Sequence, residues 1–176
     1  RVLAYNKLKN KKIFNLSFIK KRIKNLRINE LSDKKLLSNE VGIESSLIAK
    51  DKKIRKLVDK LQKKIAYNPP KGFNGSCLDG RDITYKIIPD ADFKFFLTAN
   101  VNIRAKRRYK ELKKINKKIK FSDVLKSIKK RDKNDFQRKV SPLKKTKDSI
   151  LIDTTNLTIK SCFLKIKKII DRKIYN

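Results

Sequence analysis

Apolar residues recur along this chain in two kinds of pattern. In the first, Ile54, Leu57, Val58, Leu61 and Ile65 step at i, i+3, i+4, i+7 and i+11, which predicts a strongly amphipathic helix. Phe18, Ile19, Ile23 and Leu26 repeat at the same spacing, and Val2, Leu3, Tyr5 and Leu8 form one face of a short helix. Residues 26–29 and 35–38 read as short extended pieces. Pro69 and Pro70 stop the long helix, because proline cannot continue it and biases the preceding residue away from helix. In the second pattern, three short apolar runs at 76–78, 93–97 and 149–152 read as buried strands. Helical patterns follow the second and third runs, at 103–114 and 158–172, the latter with Thr158 as N-cap. Strands alternating with helices and separated by long connections predict a parallel α/β sheet. In such sheets ligands bind beyond the carboxyl ends of the strands, where Gly80-Arg81-Asp82 and Asp153-Thr154 fall. Between the second and third runs lies a highly charged excursion, 104–148, with a helix of its own around Phe121, Val124, Leu125 and Ile128. An excursion of this kind is expected to act as a mobile lid.

Composition changes the picture in three ways. Lys and Arg total 50 against 17 Asp and Glu, a net charge of +33, which suggests a polyanion partner. Lys occurs 39 times, Ile 22 and Asn 14, and these residues share AT-rich codons, so biased base composition accounts for most of that charge. Arg occurs only 11 times and is the more informative cation, since Lys cannot replace its planar fork. The absence of His excludes Ser-His-Asp and Cys-His relays and imidazole metal sites. The absence of Met, with Arg1 at the start, leads us to expect a processed or truncated product. The longest stretch free of charge, 95–103, is far too short to span a membrane. Cys77 and Cys162 show no metal-ligand spacing and read as two buried thiols in a reducing cytoplasm.

Several clusters carry candidate chemistry. Arg81 and Asp82 read either as a phosphate-binding Arg beside a base- or sugar-binding Asp, or as a surface ion pair in an ordinary turn. Arg131, Asp135 and Arg138 share one helix face at i, i+4 and i+7. That face is either a solvated set of salt bridges or an anion site built from arginine. Arg104, Arg107 and Arg108 begin a helix after the second strand, as a phosphate clamp or as a basic face. No Gly-x-x-x-x-Gly-Lys-Ser/Thr loop occurs among the four glycines.

Five stretches in order complete the reading. They are Cys-Leu-Asp-Gly-Arg-Asp-Ile, Ile-Pro-Asp-Ala-Asp-Phe-Lys-Phe-Phe-Leu-Thr-Ala, Arg-Arg-Tyr-Lys-Glu-Leu, Ile-Lys-Lys-Arg-Asp-x-x-Asp-x-x-Arg-x-Val-Ser-Pro-Leu and Leu-Ile-Asp-Thr-Thr-Asn-Leu-Thr-Ile. In order and spacing they resemble the bacterial cytidylate kinase family, well over 40–168 and more weakly over 1–8. The resemblance implies the P-loop nucleoside monophosphate kinase fold, an α/β parallel sheet with flanking helices, here lacking the first strand and P-loop. It implies a core α/β part at 1–13, 76–103 and 146–176, a CMP-binding part at 14–75 with a reduced insert, and a lid at 104–145. The implied activity is transfer of the terminal phosphoryl of ATP, with Mg2+, to CMP or dCMP, in a cytoplasmic monomer with no specific nucleic-acid partner and no membrane. By position, Arg1, Arg81 and Arg138 resemble the arginines on the CMP phosphate. Ser46, Arg55 and Asp82 resemble the cytosine-reading set, and Arg131 and Asp135 those that hold the sugar hydroxyls. Arg107 and Arg108 resemble lid arginines at the transferring phosphate and, with Arg131, are the catalytic candidates. No metal ligand is assigned. Seven of the 11 arginines fall on these positions.

Three departures from the family pattern generate further expectations. Without the first strand and P-loop, the 176 residues alone are expected to be inactive and to have a gap in the core. Thr84-Tyr85 replaces the usual Gly-Thr and is expected to alter the backbone beside Asp82. The segment 25–41 is expected to be a shortened insert. The rival readings are a basic nucleic-acid- or ribosome-binding protein, which lacks any visible stacking motif, and a degenerate kinase relative.

Overall fold

The computed structural model describes residues 1–69 and 71–175. Pro70, one of the two expected helix breakers, and Asn176, the end of the expected core part, lie outside the described residues. The chain divides into two compact units, Arg1–Asp79 and Gly80–Asn176.

The first unit is helical: α1 (Val2–Lys9), α2 (Leu16–Lys24), α3 (Asn39–Ile48) and α4 (Lys52–Tyr67). Helix α1 packs on α3 and α2 on α4, around a core of Ala4, Ile19, Val41, Ile48 and Ile54 with Phe14, Phe18, Leu57 and Val58 against it. The starts of α2, α3 and α4 are fixed by side-chain caps. Asn15 accepts from the Phe18 amide at 2.9 Å, and Ser38 from Val41 at 3.2 Å. Asp51 accepts from Lys53 and Ile54 at 2.8 and 3.0 Å. Two of the extended pieces expected here are instead short 3-10 turns, Ile28–Ser32 and Lys34–Leu37. Local carboxylates capture the backbone: Glu30 accepts from the Arg27 amide at 2.9 Å and Asp33 from Lys35 at 2.8 Å.

The second unit holds a parallel sheet of two strands, β1 (Phe95–Thr98) and β2 (Ile150–Asp153), with Phe95 opposite Ile150 and Thr98 opposite Asp153. Helices α5 (Val101–Lys113) and α6 (Phe121–Gln137) form the crossover, and α7 (Ile159–Tyr175) follows β2. Helices α5 and α6 pack together, with Tyr109 edge-on to Phe121 at 5.8 Å between ring centroids. Thr158 caps α7, accepting from the Ser161 amide at 3.1 Å. The expected lid thus contains a packed helix pair in the same compact unit as the sheet.

Two further expectations are corrected. Residues 76–78 form no strand. The Ser76 hydroxyl instead donates to the Ile65 carbonyl of α4 at 2.7 Å, and three residues without a neighbouring strand have no ladder to join. The cysteines are not both buried: Cys77 is exposed and Cys162 half-buried. Each expected helix is present, but α3 was not foreseen.

Candidate functional site

In the second unit three arginines gather around Asp135. This side chain lies in the last turns of α6 and is buried, with 7% of its surface exposed. Arg81 donates from Nε to Asp135 Oδ2 at 2.8 Å. Arg138, the residue that ends α6, approaches Oδ1 at 3.4 Å, and Arg131, one turn earlier, approaches Oδ2 at 3.8 Å. One carboxylate thus collects three guanidinium groups, two from its own helix and one from the loop after residues 76–78. The surplus of two positive charges at one point suits a dianion such as a phosphate monoester.

Gly80 makes this approach possible. A Cβ there would sit 2.8 Å from Ile83 Cγ1, and Ile83 is buried. After Arg81 the chain turns through one turn of π-helix, Ile83–Ile87. The Ile88 amide donates to the Ile83 carbonyl at 2.9 Å. Such turns cluster at functional sites, and this one spans the Thr84-Tyr85 departure. It leaves Asp82 only 1% exposed, with Lys86 Nζ 3.9 Å from its Oδ2.

The arginines of α5 point in different directions. Arg104 makes a two-pronged ion pair with Asp132 at 2.9 and 2.8 Å and donates from Nε to the Ala99 carbonyl at 2.9 Å. It therefore ties the end of β1 to α6. Arg107 reaches the loop after β2, donating to the carbonyls of Thr154 at 2.6 Å and Leu157 at 3.0 Å. Arg108 pairs with Glu111 at 2.9 Å on its own helix. The loop that receives Arg107 is internally braced. Asp153 accepts from the Thr155 amide at 2.8 Å and its hydroxyl at 2.5 Å, and Thr155 Oγ1 accepts from the Asn100 amide at 2.9 Å. The two Thr155 hydrogen bonds hold the Asp153 carboxyl below the usual carboxylate range.

The remaining candidates lie in the first unit. Arg1 donates from Nη1 to the Leu36 carbonyl at 2.7 Å. The Ser46 hydroxyl donates back to the Gly42 carbonyl at 3.2 Å. Arg55 pairs with Asp59 along α4 at 3.0 Å. Of the sequence candidates, the structure brings together Arg81, Arg131, Asp135 and Arg138, with Asp82 next to Arg81 in the chain. Arg107 and Arg108 have separate partners.

Sequence reasoning did not find Tyr85, Lys86 and Ser141, which surround this cluster, or the pairing of Arg104 with Asp132. For Arg104 a signal existed, since it is one of few arginines in a lysine-rich chain. Among the described residues no group of three or more Cys, Asp or Glu is arranged to hold a metal ion. No helix among them is long and apolar enough to cross a membrane.

Comparison with known proteins adds a second, independent line. The family model described as cytidylate kinase matches residues 4–172. The chain is similar to a cytidylate kinase of Thermosipho melanesiensis, 45% identical over 134 residues, covering 76% of this chain and 59% of that protein. It is similar to one of Mesomycoplasma hyopneumoniae (strain 7448), 43% identical over 140 residues, covering 79% and 59%. One of Clostridium botulinum (strain Loch Maree / Type A3) is 56% identical over 95 residues, covering 54% and 44%. The chain therefore spans about three fifths of the length of the first curated relatives it matches.

Proposed function

The chain belongs to the cytidylate kinase family, and on that premise we propose that its protein transfers the terminal phosphoryl group of ATP to CMP or dCMP. The observation that carries this reading is the convergence of Arg81, Arg131 and Arg138 on the buried Asp135 carboxylate. Phosphoryl transfer needs positioning and charge neutralisation more than a protein base, so a chain without His is equipped for it. In this reading Arg81, Arg138 and Arg1 hold the phosphate of the monophosphate, while Arg131 and Asp135 hold the sugar hydroxyls. Ser46, Arg55 and Asp82 read the cytosine edge. A uracil presents the opposite hydrogen-bond pattern there and would leave buried partners unpaired, which is the strongest source of discrimination. Arg107 and Arg108 would meet the transferring phosphate, and for Arg107 this requires release from the carbonyls of Thr154 and Leu157. ATP would arrive with Mg2+, and no step is assigned to the metal through these residues.

The test is an assay of the full gene product, including whatever precedes Arg1, with ATP and each of CMP, dCMP, UMP and AMP. Rapid turnover of CMP and dCMP with little of UMP is expected, and equal rates on CMP and UMP would sink the cytosine-reading assignment. Arg81→Lys should raise the KM for CMP far more than Lys117→Arg does, because Lys117 is an exposed surface residue.

A further inference from the structure

A second ring of residues encloses the Asp135 cluster, and it contains the unit's one described non-glycine residue with positive φ. Ser141 stands at φ 53°, in the left-handed region that a serine adopts only at an energetic cost. It is also buried, so its surroundings must hold it there. Its carbonyl accepts from Arg138 Nε at 2.6 Å, and its hydroxyl bonds to Lys86 Nζ at 3.0 Å. The next carbonyl, of Pro142, accepts from the Tyr85 hydroxyl at 2.6 Å. The amide beyond that, of Leu143, returns to the Asp135 carbonyl at 2.7 Å. Lys86 Nζ also lies 3.9 Å from the buried Asp82 carboxylate. Tyr85 and Lys86 belong to the π-helical turn that follows Arg81 and Asp82. Among the described contacts, the Tyr85 and Lys86 side chains join the turn to the loop that carries Ser141 and Pro142.

We propose that Tyr85, Lys86 and the strained Ser141 turn are positioning residues that fix Arg138 and the Arg81-Asp82 loop as one rigid unit for grip of a nucleoside monophosphate. The inference rests on the kinase reading for its ligand but not for its geometry. Arg138 approaches Asp135 through Nη1 and donates to the Ser141 carbonyl through Nε, and the second contact fixes the plane of its fork. A guanidinium held in one plane meets a phosphate without a further ordering cost. Tyr85 occupies a position where the family resemblance leads one to expect Thr, whose shorter side chain has no phenol to extend toward Pro142.

The experiment uses the full gene product and two readouts. The first is steady-state kinetics with CMP. Tyr85→Phe and Lys86→Met should each raise the KM for CMP about fivefold to tenfold with kcat changed less than about twofold. Lys86→Arg, which keeps the cation and donor, should restore most of the loss, and Lys117→Met should change nothing. The second readout needs no ligand: hydrogen exchange of the Arg138 Nε–H, followed by nitrogen-15 NMR. It should be slow in the parent protein and about tenfold faster in Tyr85→Phe and Lys86→Met. A purely structural role would lower the unfolding midpoint and leave the KM and the Nε–H exchange unmoved below it. That result overturns the proposal, as does a Lys86→Arg variant as impaired as Lys86→Met. If the parent protein does not use CMP at all, the kinase reading fails on its own. The Nε–H exchange then still decides the coupling, faster exchange supporting it and unchanged exchange overturning it.

Discussion

Asp135 shows why a buried acidic residue in a chain of charge +33 is conspicuous. It is buried among three guanidinium groups, and in such a setting the carboxylate and the arginines depend on one another. Removing one partner of a buried ion pair leaves uncompensated charge, a change measured in several kcal/mol. Here Arg131 is 46% exposed and solvent screens part of the effect. Asp135→Asn should therefore lower stability by roughly 2 kcal/mol, read as a shift of the urea midpoint at constant slope. An unshifted midpoint would mean that water, not Asp135, neutralises Arg81 and Arg138. Arg104 makes the same point about residue choice. Its two prongs on Asp132 and its Nε on the Ala99 carbonyl use three donors in one plane, and no lysine reproduces that.

At the scale of elements, the loop from Asp153 to Leu157 links three of them: β2 through Asp153, α5 through Asn100 and Arg107, and α7 through the chain that follows. Its keystone is ionised Asp153, whose pKa is lowered by the Thr155 hydrogen bonds. A lowered carboxylate pKa stabilises the folded loop above the ordinary carboxylate range, and that contribution fades as pH falls below it. Amide exchange at Thr155 should thus accelerate as pH drops beneath about 4, beyond the intrinsic pH trend of exchange, and Asp153→Asn should abolish that excess. The elements themselves were legible to different degrees, for physical reasons. Helix α4 announced itself because one aliphatic stripe meets a polar face. Helix α3 did not, because Val41, Ile43, Leu47 and Ile48 spread around the helix, although Ser38 carried the cap signal. Strands β1 and β2 were readable as apolar runs between turn signals. The run at 76–78 looked alike and failed, since pairing depends on a neighbour that no local pattern encodes. Of the site, the arginines were legible through motif spacing. Tyr85, Lys86 and Ser141 were not, because their role arises from a π-helical turn and a positive φ that only the fold reveals.

For the molecule as a whole, the sheet leaves apolar surface open. Leu97 and Leu151, on adjacent strands, are 55% and 54% exposed, and Ile159 and Phe163 of α7 are exposed as well. Parallel sheets are normally covered on both faces, and two strands alone are marginal. The 176 residues expressed by themselves should bind an environment-sensitive apolar dye under native conditions. Leu97→Thr with Leu151→Thr should cut that signal without lowering the unfolding midpoint, whereas a lowered midpoint would place both leucines in a working core. The diffuse lysine charge predicts only weak, non-specific binding to duplex or single-stranded DNA, whereas tight binding with a steep salt slope would favour the nucleic-acid reading. The parallel pairing carries one more consequence, in time rather than space. The pairing that closes the sheet joins residues far apart in the chain, and so does the brace between Asn100 and Thr155, 55 positions distant. The helices between them can form from neighbours alone, whereas the strands must first close a long loop. The loop at the end of β2, which holds Arg107, is therefore completed after the helix that bears that arginine, and it is also where the folded chain is expected to open first.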